Sequence, residues 1–122
     1  MSNALRPGDI VFATMLDPHG ANPKTRPVLI VEVDPSKINC FTVIAITSTF
    51  ENVLGPNQVN LPFSNSIPPA RTGLRVASRA DVDWFKYDDL KDAKRVGYVT
   101  SVLFARILKL FIDRLKDRSS FG

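Results

Sequence analysis

From Ile10 to Trp84 the apolar residues come in strand-length runs cut apart by proline, glycine and asparagine, and only after Thr100 does their spacing become helical. Many short strands followed by one helix favour a small barrel with the helix packed on it, because a sheet wound with alternating helices needs far more helix. Arg6-Pro7-Gly8-Asp9 reads as a turn, and residues 10–15 as a first strand. Residues 16–25 contain Asp17-Pro18, Gly20 and Asn22-Pro23, which forbid regular structure and predict a long exposed loop of the kind that often carries function. Residues 26–33 are nearly all aliphatic after Pro27, the mark of a strand buried on both faces or closed within a barrel. Residues 38–49 predict another strand, joined to it by the hairpin turn Asp34-Pro35-Ser36-Lys37.

Val59, Leu61 and Phe63 alternate in a short strand over residues 57–63, and a polar loop follows over residues 64–72. Residues 73–85 read as extended, with Leu74, Val76, Val82 and Trp84 pointing inward and a break or bulge around Ser78-Arg79-Ala80. Five strands are thus expected. In residues 100–116, Leu103, Ile107, Leu110, Phe111 and Leu115 share one helical face with Val99, while Arg106, Lys109, Asp113 and Lys116 fall outside it. Thr100 or Ser101 is placed to cap that helix.

A chain of 122 residues suits one domain, expected over residues 6–118, with residues 1–5 a disordered or cloning-derived tail. Those first residues lack the basic and apolar segments of a secretory leader, and the single Cys40 can form no internal disulfide, so the expected setting is the cytoplasm. Arg106 and Lys109 interrupt the longest apolar stretch, and no membrane span is expected. Net charge is +4, and it is uneven: residues 1–70 carry four basic and five acidic side chains, residues 71–122 twelve and seven. Most of the late lysines read as solvated surface. Arg71, Arg75 and Arg79 recur every fourth residue in an extended stretch, which would align them on one face. Such a stripe serves equally as a phosphate-facing RNA contact or as a solvated sheet face.

Several chemistries lack their residues. One histidine and one cysteine exclude multi-histidine zinc and cysteine-based clusters. Asp81, Asp83, Asp88, Asp89 and Asp92 are dense but lie among Lys86, Lys91, Lys94 and Arg95, the mixed pattern of a solvated turn or short helix, so no metal site is expected. The six glycines are scattered and form no phosphate-cradling loop, so no cofactor is implied. No strand-turn-helix elbow presents a serine to His19.

The remaining residues form an ordered pattern. Pro7-Gly8-Asp9-Ile10-Val11, then Asp17-Pro18 and Gly20, then Lys24-Thr25-Arg26-Pro27-Val28-Leu29-Ile30-Val31, then Ala45-Ile46-Thr47-Ser48, then Gly73-Leu74 with Ser78, and a closing amphipathic helix resemble the MazF/PemK (CcdB-like) toxins from about residue 6 to residue 115. That resemblance implies a mainly β fold, an SH3-like barrel with a C-terminal helix, acting as a homodimer with its groove near the dimer interface. It also implies the reaction: metal-independent cleavage of single-stranded RNA by attack of the ribose 2′-hydroxyl on the adjacent phosphate. By the same resemblance Arg26 matches the arginine that contacts the scissile phosphate, and Thr47 the threonine that helps to hold it. Physical chemistry agrees, since a guanidinium can bind two oxygens of a phosphorane-like transition state while a hydroxyl donates to a third. Ser48, Lys24 and His19 are further candidates for catalysis or substrate binding, His19 because imidazole titrates in the useful range. Against that stand the plainer readings: a loop-closing arginine, a strand threonine, an exposed histidine. The first loop, His19-Gly20-Ala21-Asn22-Pro23, departs from the family's usual glycine, small residue, glutamate, glutamine and is shorter.

The implied partners are single-stranded RNA, a cognate acidic antitoxin and, through that antitoxin, operator DNA. A non-catalytic module using the same arginines to bind nucleic acid or protein is the alternative, since small barrels host many functions. Trp84 and Phe50 are candidates either to stack on a base or to fill the core or a dimer interface.

Overall fold

The strand-length runs pair into one antiparallel sheet. The structure, a computed structural model, describes residues 4–34, 36, 40–64, 71–91 and 93–119. Its elements are β1 (Asp9–Met15), β2 (Lys24–Val33), β3 (Phe41–Thr47), β4 (Gln58–Leu61), β5 (Ser78–Asp88), β6 (Arg95–Tyr98) and α1 (Ser101–Ser119). The strands stand in the order β4-β5-β3-β2-β1-β6, with every neighbouring pair antiparallel. The sheet curls into a half-barrel, as the sequence pattern predicts.

β2 and β3 occupy the middle, which is why they read as aliphatic runs: each is covered on both faces. Leu29, Val31, Ile44 and Ile46 join Ile10, Val59, Leu61, Ala80, Val82, Ile107 and Phe111 in one core on the helix side. Val28, Ile30, Val43 and Ala45 join Val11, Ala13, Met15 and Leu90 in a second core on the other face. The helix seats Ile107 and Phe111 fully, with Leu103, Phe104, Leu108, Leu110 and Leu115 packed partly against the first core. Its N-terminus is capped by Thr100, whose Oγ1 accepts the Leu103 amide at 3.3 Å. Arg114 anchors it to β5, donating through Nε to Asp83 Oδ1 at 3.0 Å and through Nη2 to Oδ2 at 2.5 Å.

The two edges of the sheet are bridged by the segment between β4 and β5. Leu74 O accepts the Ser64 amide at 2.9 Å, and Arg71 O accepts the Tyr98 amide of β6 at 2.9 Å. That approach demands a glycine, because a Cβ at Gly97 would overlap the Thr72 carbonyl. Gly8, at φ 95°, turns the chain into β1 while its amide donates to Ile30 O at 2.8 Å.

Four expectations need correction. The sheet has a sixth strand, β6, formed by Arg95–Tyr98, a piece too short and charged to read as one. β2 begins at Lys24, two residues inside the predicted loop, where pairing with β1 outweighs the local turn composition. Residues 73–77 precede β5 instead of belonging to it, and Val76, expected inward, is 56% exposed. The irregularity in β5 lies at residues 82–84, not 78–80: Ala45 pairs with Asp81, but Ile44 pairs with Phe85. Pro35, Lys37, Ile38 and Asn39 of the predicted hairpin turn and strand, residues 65–70 of the predicted loop, Asp92, and residues 1–3 of the tail lie outside the described residues.

Candidate active-site cleft

The ladder between β2 and β3 ends with Val28 opposite Ala45, and two residues further along each strand stand Arg26 and Thr47. Thr47 pairs on its other side with Arg79, which pairs with Asn60, and Arg26 pairs with Ala13. Partners across an antiparallel ladder project to one face, so Arg26, Thr47, Arg79 and Asn60 form a polar row continuing the face of the second core. Pro27, lacking an amide proton, ends the β2–β3 ladder here and lets the strands part.

A cleft of about 870 Å³ opens at that end of the sheet. Lys24, Arg26, Thr47, Ser48, Thr49, Arg75 and Ser78 supply its polar lining, and Phe12, Val76, Trp84 and Val96 its apolar lining. Of the expected site residues it brings together Arg26, Thr47, Ser48, Lys24 and Arg75, and it omits His19, Arg71 and Arg79. Its lining contains three cationic side chains and, among the described residues, no carboxylate, imidazole or thiolate. A phosphate is met by such a surface, whereas a divalent cation finds no carboxylate in it.

The Arg26 guanidinium carbon lies 4.4 Å from the centroid of the Trp84 ring, and its Nε is buried without a hydrogen-bond partner among the described residues. Thr47 is 8% exposed; its Oγ1 donates to Thr49 O at 3.1 Å and accepts the Thr49 amide at 3.2 Å. Rotation about Cβ–Oγ1 re-aims that proton at a ligand. Ser48 is exposed just beyond the end of β3.

The expected stripe of three arginines does not form. Only Arg79 lies in a strand, and it is 6% exposed, turned to work inside the protein. Its guanidinium sits 3.9 Å from the centroid of Phe50 and donates to Asn60 Oδ1, Gln58 Oε1 and the carbonyls of Glu51, Asn52 and Val53. Arg79 is therefore a clamp on residues 50–58, and Phe50 lies beneath it. Arg71 is exposed away from the cleft, and Arg75 alone of the three reaches it.

His19 is also elsewhere, in the loop between β1 and β2, where its amide donates to Asp17 Oδ1 at 2.9 Å. Asp17 organises that loop: Oδ1 also accepts the Ala21 amide, and Oδ2 accepts Asn22 Nδ2 at 2.8 Å. The Ala21 amide and then the Asn22 side chain hold the Asp17 carboxyl below its ordinary 3.8. Asp81 is engaged with Asn57, Asp83 with Arg114 and Asp88 with Lys86, and none of the three lines the cleft.

A model of the family described as the PemK-like, MazF-like toxin of type II toxin-antitoxin systems matches residues 6–113. The chain belongs to that toxin family. Solved structures agree on the fold of this PemK/MazF-like chain. MazF from Deinococcus radiodurans superposes with a TM-score of 0.68 at 15% identity, covering 94% of this chain and 99% of that one. A MazE–MazF complex from the same organism gives 0.64 at 16% identity, covering 93% and 97%. An endoribonuclease in complex with its cognate antitoxin, from a mycobacterial species, gives 0.62 at 15%, covering 92% and 96%. No curated protein sequence matches. Among the described residues no helix is long and apolar enough to cross a membrane.

Two features of the toxin-like chain's cleft escape a reading of its sequence. Phe12, on β1, is 52% exposed at the cleft, a placement that alternation of a buried strand hides. The contact of Trp84 with Arg26 joins residues far apart in sequence, and the position of the irregularity that creates it is not set by local sequence.

Proposed function

We propose that this chain is the toxin of a toxin-antitoxin pair and a metal-independent endoribonuclease for single-stranded RNA. One observation carries the reading: the fold gathers Arg26, Thr47, Ser48, Lys24 and Arg75 around one cleft whose lining offers phosphate contacts and, among the described residues, no carboxylate, imidazole or thiolate. In this reaction the 2′-hydroxyl oxygen bonds to phosphorus while the bond to the 5′-oxygen breaks, leaving a 2′,3′-cyclic phosphate and a 5′-hydroxyl. The attacking oxygen gives up its proton to a base and the departing oxygen takes one. Arg26 stabilises the charge that gathers on the equatorial oxygens through its planar fork of N–H donors. Thr47 donates its hydroxyl to a further oxygen. Lys24 and Arg75 hold flanking phosphates. Among the described residues the cleft lining supplies no imidazole or carboxylate for the base role, and His19, the single imidazole of the sequence, stands outside it on the loop between β1 and β2.

The same cationic lining suits an acidic antitoxin that covers the cleft, in keeping with the antitoxin-bound relative. Operator binding would come through that antitoxin. The exposed Phe12 and Val76 beside the cleft fit the homodimer whose interface borders the groove. Absence of a base from the cleft lining favours one second reading, a module that binds nucleic acid or protein without cutting it.

The test is cleavage of a long single-stranded RNA in excess EDTA, with fragment ends mapped. Defined cleavage should persist under chelation and fall by roughly two to three orders of magnitude in Arg26→Ala and in Thr47→Ala. Intact RNA from the folded wild-type protein, with binding retained, would instead establish the module.

A further inference from the structure

We propose that Trp84 is the positioning residue for Arg26, holding the guanidinium in place while leaving its charge and its in-plane N–H groups unspent for a phosphate. The inference rests on the ribonuclease reading above and deepens it.

An arginine at a phosphate site needs to be held still, yet the usual holder, a carboxylate, neutralises its charge and consumes its donors. No carboxylate pairs with Arg26 among the described residues. What it has is the face of an indole, 4.4 Å from the guanidinium carbon to the ring centroid. A π face attracts the cation through its quadrupole and takes no N–H bond from it. Among the described residues its buried Nε has no hydrogen-bond partner.

The platform is itself fixed. Trp84 Nε1 donates to Leu16 O at 2.8 Å, which ties the ring to the start of the loop that carries His19. The backbone is specialised to put it there. Val82 packs in the helix-side core, and plain alternation would send Trp84 to that same side. Three residues, Val82, Asp83 and Trp84, are spent between the pairs Ala45–Asp81 and Ile44–Phe85. This bulge switches the facing, so that Trp84 packs on the opposite core beside Arg26. Asp83, in the same irregularity, is held by Arg114 of the helix.

Two measurements on the full chain test the proposal, one of them independent of activity. The Arg26 Nε–H resonance should be shielded by the ring in the wild-type protein and should move to the ordinary arginine position in Trp84→Leu. In cleavage kinetics Trp84→Leu should lower kcat by about 3- to 30-fold, the range of a cation–π contact, with KM changed by less than about twofold. Trp84→Phe, which keeps a π face and most of the volume, should recover most of that loss and guards against a folding defect. An unshielded Arg26 resonance in the wild type overturns the proposal, as does equal kcat in folded Trp84→Leu and wild type. Wild-type protein that cuts no RNA yet shows the shielded resonance overturns the ribonuclease reading and supports the Trp84–Arg26 pair.

Discussion

Arg26 and Arg79 stand in one cross-strand row and do opposite work, and the difference lies in what surrounds each guanidinium. Arg79 is closed over by residues 50–58 and satisfied by three carbonyls and two side-chain oxygens. Its removal leaves those acceptors without their donor, at about 1–3 kcal/mol for each that water cannot reach. Arg79→Met should therefore destabilise the fold by about 3 kcal/mol or more in urea denaturation and expose residues 50–58 to proteolysis. Arg26 lines the cleft and, among the described residues, has no such acceptors. Arg26→Ala should leave the urea midpoint nearly unchanged while lowering cleavage by roughly two to three orders of magnitude; a large stability loss would point to a structural arginine. Asp17 makes a third case. Its carboxyl is held low by amide donors, so its hold on the loop is complete above the ordinary carboxylate range and is lost as pH falls through the lowered value. The Ala21 amide shift should accordingly titrate below pH 3.8, and Asp17→Asn should flatten that titration.

At the scale of elements, the helix and the bulged strand β5 set the site from a distance. Phe111 is 4% exposed and meets Phe85 edge to face at 5.2 Å, so the helix packs directly on the strand that carries Trp84. Phe111→Ala should cost about 3–5 kcal/mol, read as a lower denaturation midpoint. Shortening the anchor by Arg114→Ala should cost far less, because that pair is partly exposed and screened. How much of this was legible differs by element. The helix, its apolar face and the Thr100 cap follow from a period of 3.6 and a hydroxyl in the right place. β2 and β3 follow from uninterrupted aliphatic runs. β6 does not, since four residues containing Arg95 and Gly97 are strand only because β1 offers them a ladder. The bulge in β5 was legible as an event but misplaced, because its position depends on which residues of β3 it must face.

In the whole molecule, the cleft exists because the two sheet edges are bridged. Residues 71–74 lie close against β6 at Gly97 and reach Ser64 beyond β4, which sets Arg75 and Val76 on the cleft wall. A methyl at Gly97 would press on the Thr72 carbonyl. Gly97→Ala should lower Tm and also weaken RNA binding, although Gly97 does not line the cleft; binding unchanged in a destabilised variant would separate the bridge from the site. Charge acts at this scale as well. With Lys24, Arg26 and Arg75 on phosphates, the log–log salt slope for a non-cleavable single strand should be about −2, and Lys24→Ala should reduce it by about 0.7.

The sequence by itself determined a small β-rich fold with one closing helix, membership of a toxin family through ordered motifs, and Arg26 and Thr47 as the residues to watch. Each is a local fact, carried by periodicity, turn chemistry or a short string of neighbours. Tertiary structure decided which of three evenly spaced arginines reaches the cleft, that Arg79 is a clamp, that His19 stands outside, and that Trp84 holds Arg26. Those depend on strand register, a bulge and the bridging of two sheet edges, which are contacts between residues distant in sequence and leave no mark in the spacing of either partner.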